Sequence, residues 1–128
     1  MEITLLYASL LSILAIFLAY KTGTTRLKTN TLLGDGDSLE MLQSTRAFGN
    51  LIEYAPLAII LIGLLEIQDI ASWKLHLLGS TFFLCRILHA YGLAISPEST
   101  PPRLIGAVGT WGIIFSMAVA GLYLSLPL

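Results

Sequence analysis

The chain has 128 residues, enough for one small domain. It is 55% hydrophobic and only 12% charged, against about 25% charged in a typical soluble domain. With a mean hydropathy of +0.81, that composition excludes a small soluble fold, and a formal net charge of −1 gives no footing for nucleic acid.

A helix needs about 20 residues to cross the hydrocarbon core of a bilayer. Four segments meet that length and predict an all-α membrane protein, a four-transmembrane-helix bundle in a single domain spanning 1–128. The predicted helices are about 3–20, 38–66, 73–95 and 102–126. The first is interrupted only by Thr4, Ser9 and Ser12. No Lys or Arg precedes it, so it reads as a retained membrane helix rather than a cleavable signal.

The connection from Lys21 to Asp37 is the longest and is rich in Thr and Gly. Gly34-Asp35-Gly36-Asp37 predicts a turn. The later ligands of a calcium loop are missing, so no metal site is expected there. Asp37 and Glu40 stand at capping-box spacing, which places the second helix start near Ser38.

The second helix carries its hydrophobic span from about Arg46 to Leu65. The third span runs from about Trp73 to Ile95, and Cys85 within it reads as a small buried hydrophobe. A lone cysteine allows neither an internal disulfide nor a cysteine-rich zinc site. The last connection, Ser96 to Pro102, offers Ser99 or Thr100 as a cap for the fourth helix, with proline in its first turn. In that helix Gly112, Ser116 and Ala120 recur four apart, a spacing that predicts close helix approach.

Lysines and arginines set the expected orientation. Connections one and three hold Lys21, Arg26, Lys28 and Arg103, whereas the other side holds only Lys74. This predicts that connections one and three face the cytoplasm and that both termini lie on the non-cytoplasmic side. Trp73 and Tyr20 stand near span ends, where amphipathic rings favour the interface.

One feature of the second span is incompatible with plain lipid exposure. Arg46, Asn50 and Glu53 are spaced i, i+4, i+7 and share one helix face. Ionisable residues inside a span cost several kcal/mol by insertion scales and usually face a protein interior or wet cavity. An Arg46–Glu53 pair bridged by Asn50 could serve only as helix glue. The third span adds Arg86 and His89, spaced i, i+3, and Arg103 stands at the mouth of the fourth. Three arginines against one carboxylate suit an anionic ligand better than a closed network. His89 alone reads more readily as a hydrogen-bonded packing residue, and His76 as interfacial. No Ser/His/Asp or Cys/His nucleophile set is visible, so any chemistry would be electrostatic activation of a bound group.

The run Arg46-Ala47-Phe48-Gly49-Asn50-Leu51-Ile52-Glu53-Tyr54-Ala55-Pro56-Leu57 resembles the signature of the MAPEG family, the membrane-associated proteins in eicosanoid and glutathione metabolism. That signature is Arg-Ala-x-x-Asn-x-x-Glu-Tyr-x-Pro at the start of the second span, and every fixed position is met. Length, span number, orientation and the place of Arg86 also agree. The segment Arg86-Ile87-Leu88-His89-Ala90-Tyr91-Gly92 is most similar to the bacterial branch.

The resemblance implies a homotrimer with glutathione bound between subunits toward the cytoplasmic side. It implies glutathione contacts from Arg46, Asn50, Glu53, Tyr54 and Arg86, with His89 where animal members carry a tyrosine, and from Arg26 as a looser counterpart. Glutathione carries two carboxylates and one ammonium, so arginines would pair with the former and Glu53 with the latter. Arg103, or Arg86, would stabilise the thiolate as the catalytic arginine.

The implied function is a glutathione transferase or peroxidase acting on lipophilic electrophiles delivered through the membrane. The departures at His89 and Leu93, both tyrosines in animal members, leave an alternative. That alternative is a non-catalytic protein of the same fold binding glutathione, another anion or lipid. A four-span transporter is a third class, disfavoured because span one holds no charge beyond Glu2.

Overall fold

In the computed structural model, residues 1–126 are described. They form four helices: α1 (Glu2–Thr29), α2 (Leu39–Ile67), α3 (Ser72–Ile95) and α4 (Pro101–Ser125). At about 1.5 Å per residue each exceeds the roughly 30 Å of the hydrocarbon core. All four are apolar enough to span, and the chain is an integral multi-pass membrane protein. Short connections turn each helix back beside the one before it. α2 and α3 form the centre, each touching all three other helices, whereas α1 and α4 lie on opposite flanks without contact.

The core runs along the seam of α2 and α3. Leu51, Ala55, Ala58 and Ile62 of α2 recur at helical spacing and are buried, and Phe82 and Leu75 of α3 meet them. The apolar residues that remain exposed, such as Ile16, Phe17 and Phe115, point outward from the bundle. In a soluble protein such a surface would aggregate, but against acyl chains it is neutral.

α1 is longer than hydropathy indicates. Hydropathy predicts an end at residue 20, where the apolar run stops, but the helix continues to Thr29. Its threonines sustain it. Thr22, Thr25 and Thr29 each donate a hydroxyl to the carbonyl four residues back, at 2.9 Å. Thr22 also reaches the Ser44 carbonyl of α2 at 3.2 Å. A polar helix face is thus internally satisfied and buried against a neighbour. Asn30 then ends the helix in the left-handed region at φ 52°, and the Thr31 N–H closes back on the Arg26 carbonyl at 3.0 Å. The turn at Gly34–Asp37 forms as expected, with positive φ at Gly34, Gly36 and Asp37.

α2 starts where predicted but with a different cap. Asp37 lies outside the helix at φ 59°, and the Ser38 hydroxyl accepts from the Met41 N–H at 3.2 Å. Glu40 is drawn away to Lys28 of α1, at 2.8 Å. In α4 the cap residue is Thr100, yet its hydroxyl does not cap. It donates instead to the Gly92 carbonyl of α3 at 3.3 Å.

At the opposite end Glu66, the last acid of α2, closes the open start of α1. It accepts from the N–H groups of Ile3 (3.0 Å) and Thr4 (2.8 Å) and from the Thr4 hydroxyl. These are orphan donors of a first turn that has no side-chain cap of its own.

Of the three small residues expected to let helices meet, Ala120 packs against the core, but the other two do not. Gly112 has nothing within 4 Å of a notional Cβ, and Ser116 is exposed. The close approach of α4 to α3 occurs one helical stretch earlier. A Cβ on Gly106 would stand 2.5 Å from the Cys85 carbonyl oxygen and 2.6 Å from the His89 nitrogen. Gly109 packs on the Cys85 sulfur, and Gly92 on the Arg103 backbone.

Candidate functional site

The contact made by Gly106 draws α4 tightly onto the arginine-bearing face of α3. On the other side of that face lies α2. Between the three helices is a cavity of about 270 Å³ lined by Asn50, Tyr54, Arg86, His89, Ser99, Arg103, Leu104, Ala107 and Trp111. Five of the residues singled out in the sequence thus converge: Asn50 and Tyr54 from α2, Arg86 and His89 from α3, and Arg103 from α4.

Arg86 is the centre of the arrangement. It is 2% exposed. Its Nη1 donates to Asn50 Oδ1 at 2.6 Å, and Nη2 reaches the Gly106 carbonyl at 3.4 Å. The guanidinium carbon lies 5.5 Å from the centre of the Tyr54 ring, a cation–π contact. Among the described residues its Nε has no hydrogen-bond partner. Among the described residues no carboxylate pairs with it. All of its partners are neutral dipoles, so a full positive charge stands in a low-dielectric setting without a counter-charge.

Asn50 therefore does not bridge Arg46 and Glu53. It turns inward and fixes one edge of Arg86. Arg46 and Glu53 form a direct ion pair at 3.3 Å on the outer surface of α2. Gly49 lies beneath them, with no side chain to separate them. Their side chains are 53% and 52% exposed, and neither lines the cavity of the single protomer.

The remaining arginines are committed elsewhere. Arg103 borders the cavity, but its Nη1 donates to the carbonyls of Pro97 (3.0 Å) and Glu98 (3.4 Å) in the α3–α4 connection. Arg26 is far from it in role. It holds the α1–α2 turn through the Thr31 and Gly34 carbonyls, at 3.3 and 3.0 Å, beside a separate surface groove. His89 is buried and reaches the cavity wall, consistent with both a packing and a ligand-facing position. Leu93 is buried in the core and does not line the cavity.

Trp111 is the cavity residue that motif reading passed over. Its indole N–H donates to the Tyr54 hydroxyl at 3.0 Å, joining α4 to α2. A signal was present. Arg103, Ala107 and Trp111 recur at i, i+4, i+8 on one helix face, and a tryptophan in mid-span lies away from the interface that usually holds it. A larger groove of about 520 Å³ lies toward the other end of α2 and α4. Leucines such as Leu61, Leu64 and Leu122 line it, and it has no charged side chain.

Residues 4–123 match the model of the MAPEG family. The chain is 28% identical over 121 residues to inner membrane protein YecN of the K12 strain of Escherichia coli. That alignment covers 94% of this chain and 91% of the relative. The YecN protein of a second Escherichia coli strain matches equally well.

Proposed function

The chain belongs to the MAPEG family, and from that premise we propose that it is a glutathione-binding membrane enzyme, a transferase or peroxidase acting on lipophilic electrophiles. Its setting is the inner membrane, where its relatives are named. The observation that carries the reading is the buried, acid-free Arg86 at the wall of a polar cavity. A charge so placed is stabilised by an anion that brings its own hydrogen-bond acceptors. A carboxylate of glutathione meets that need. Arg46 and Glu53, outside the cavity of one protomer, become usable when a neighbouring subunit covers them. This supports a homotrimer with the ligand between subunits.

Catalysis in this reading is stabilisation of the glutathione thiolate by positive charge and oriented donors in a water-poor site. No protein nucleophile takes part. Lipid supplies the apolar second substrate from the side.

Isothermal titration with reduced glutathione tests the binding step. Heat saturating at millimolar ligand or below is expected from the folded, detergent-solubilised protein. Absence of heat at millimolar ligand overturns the proposal.

A second reading has its own support. The Arg103 guanidinium is directed to loop carbonyls, and His89 and Leu93 replace the tyrosines of animal members. Both favour a protein that binds glutathione or another anion without turnover. Conjugation of chlorodinitrobenzene discriminates the two, since an enzyme consumes it and a binder does not.

A further inference from the structure

At the cavity wall, the direction of the hydrogen bond between Trp111 and Tyr54 is fixed. Indole nitrogen only donates, so in the Trp111–Tyr54 contact the phenol oxygen is the acceptor. Its own proton then points elsewhere. Among the described residues that hydroxyl has no protein acceptor, since its single hydrogen bond is the one from Trp111. Both residues line the cavity. Arg86 lies against the face of the same phenol ring.

These facts together describe a prepared donor. Accepting a hydrogen bond polarises a hydroxyl and strengthens the bond it donates. A cation over the ring withdraws electron density in the same sense. The indole also restricts the rotation of the O–H, because one lone pair is occupied. The other in-plane direction of the O–H is left for an acceptor on a ligand in the cavity that Tyr54 lines. Arg103, the other group expected to serve an anionic atom, spends its Nη1 on the Pro97 and Glu98 carbonyls.

We propose that Trp111 is a positioning residue that fixes the Tyr54 hydroxyl as a hydrogen-bond donor to the sulfur of the bound thiol. This deepens the glutathione reading above and rests on it. The thiol loses its proton to solvent and keeps the electron pair on sulfur. Tyr54 O–H donates to that thiolate and retains its own proton, so no covalent bond of the protein forms or breaks. Arg86 holds a carboxylate of the same ligand and Asn50 holds Arg86.

The test is the ultraviolet thiolate band of reduced glutathione bound to the detergent-solubilised protein, followed against pH, with calorimetry on the same samples. Tyr54→Phe is expected to move the midpoint of that titration upward by about one pH unit, roughly tenfold less thiolate at fixed pH. Trp111→Phe keeps the aromatic bulk and removes the N–H. It is expected to move the midpoint about half as far, a roughly threefold loss of thiolate, while glutathione affinity changes by less than about threefold. In chlorodinitrobenzene conjugation the loss falls on kcat rather than KM. Added to Tyr54→Phe, the Trp111 change has no further effect, because its target is gone.

Normal binding with an unmoved midpoint in either single variant overturns this inference and leaves the binding reading standing. Additive shifts in the double variant also overturn it. Failure of the unmodified protein to take up glutathione overturns the binding reading and this one together. If Trp111→Phe does not fold, Tyr54→Phe decides alone, and an unmoved midpoint there is fatal.

Discussion

Arg86 sets the chemistry of the molecule at the scale of one side chain. Guanidinium stays charged at any physiological pH, and burying it without an acid costs several kcal/mol of desolvation. The Asn50 and Gly106 oxygens and the Tyr54 ring offset part of that cost. The remainder is a standing destabilisation that a bound anion relieves. Arg86→Met therefore separates binding from folding. Glutathione affinity is expected to fall at least about tenfold, the loss of one or two charge-assisted bonds. The melting temperature of the unliganded protein is expected to hold or rise. Loss of the Asn50 contact costs about 1–3 kcal/mol, and removal of an unpaired buried charge repays at least that much. Calorimetry and a thermal melt on the same preparation check both halves. A steep loss of stability with affinity retained would show Arg86 to be a structural strut instead.

Among the elements, α4 decides whether the cavity exists, because Gly106 brings it onto α3. A methyl group there meets the Cys85 carbonyl and the His89 backbone nitrogen rather than a flexible side chain. Gly106→Ala accordingly forces the helices apart, and a loss of about 1–3 kcal/mol is expected, with weakened glutathione binding. Gly112→Ala, with open space around it in the protomer, is expected to stay within about 1 kcal/mol and to gain helix propensity. Comparative melting of the two variants tests the contrast. The same two glycines show what was legible in advance. A small-residue period is visible in sequence, but which of two such stretches meets a neighbour depends on helix rotation, which periodicity alone does not supply. Hydropathy located all four spans, since crossing a bilayer leaves a signal in composition. It misjudged the end of α1, where the threonines at 22, 25 and 29 are polar by type yet satisfied by the helix itself. Capping-box spacing points to Asp37 as the cap, whereas the chain passes through a positive φ there and Ser38 serves.

Across the whole molecule, inward and outward polarity divide the motif of α2 into two working parts. Asn50 and Tyr54 face the cavity. They could be named from the motif and Arg86 from its place in span three, whereas Trp111 left only its helix-face and mid-span signal, because its role depends on a contact with a residue 57 positions away in sequence. Arg46 and Glu53 face away, half-exposed on the outer surface of α2, a helix long and apolar enough to span the membrane. An exposed pair in water is worth under about 1 kcal/mol, but in hydrocarbon each charge costs several. Lipid is a poor cover for such a pair, and a second protein surface is a good one. The stripe therefore argues for association through this face of α2. Native mass spectrometry in mild detergent is expected to give three copies per particle. Replacing both charges by alanine is expected to weaken the trimer, by loss of cross-subunit bonds, and to abolish glutathione binding even though Arg86, Tyr54 and Trp111 remain in place. A protein that stays monomeric while binding glutathione at full affinity would overturn the shared site and confine the ligand to the cavity between α2, α3 and α4 of one chain.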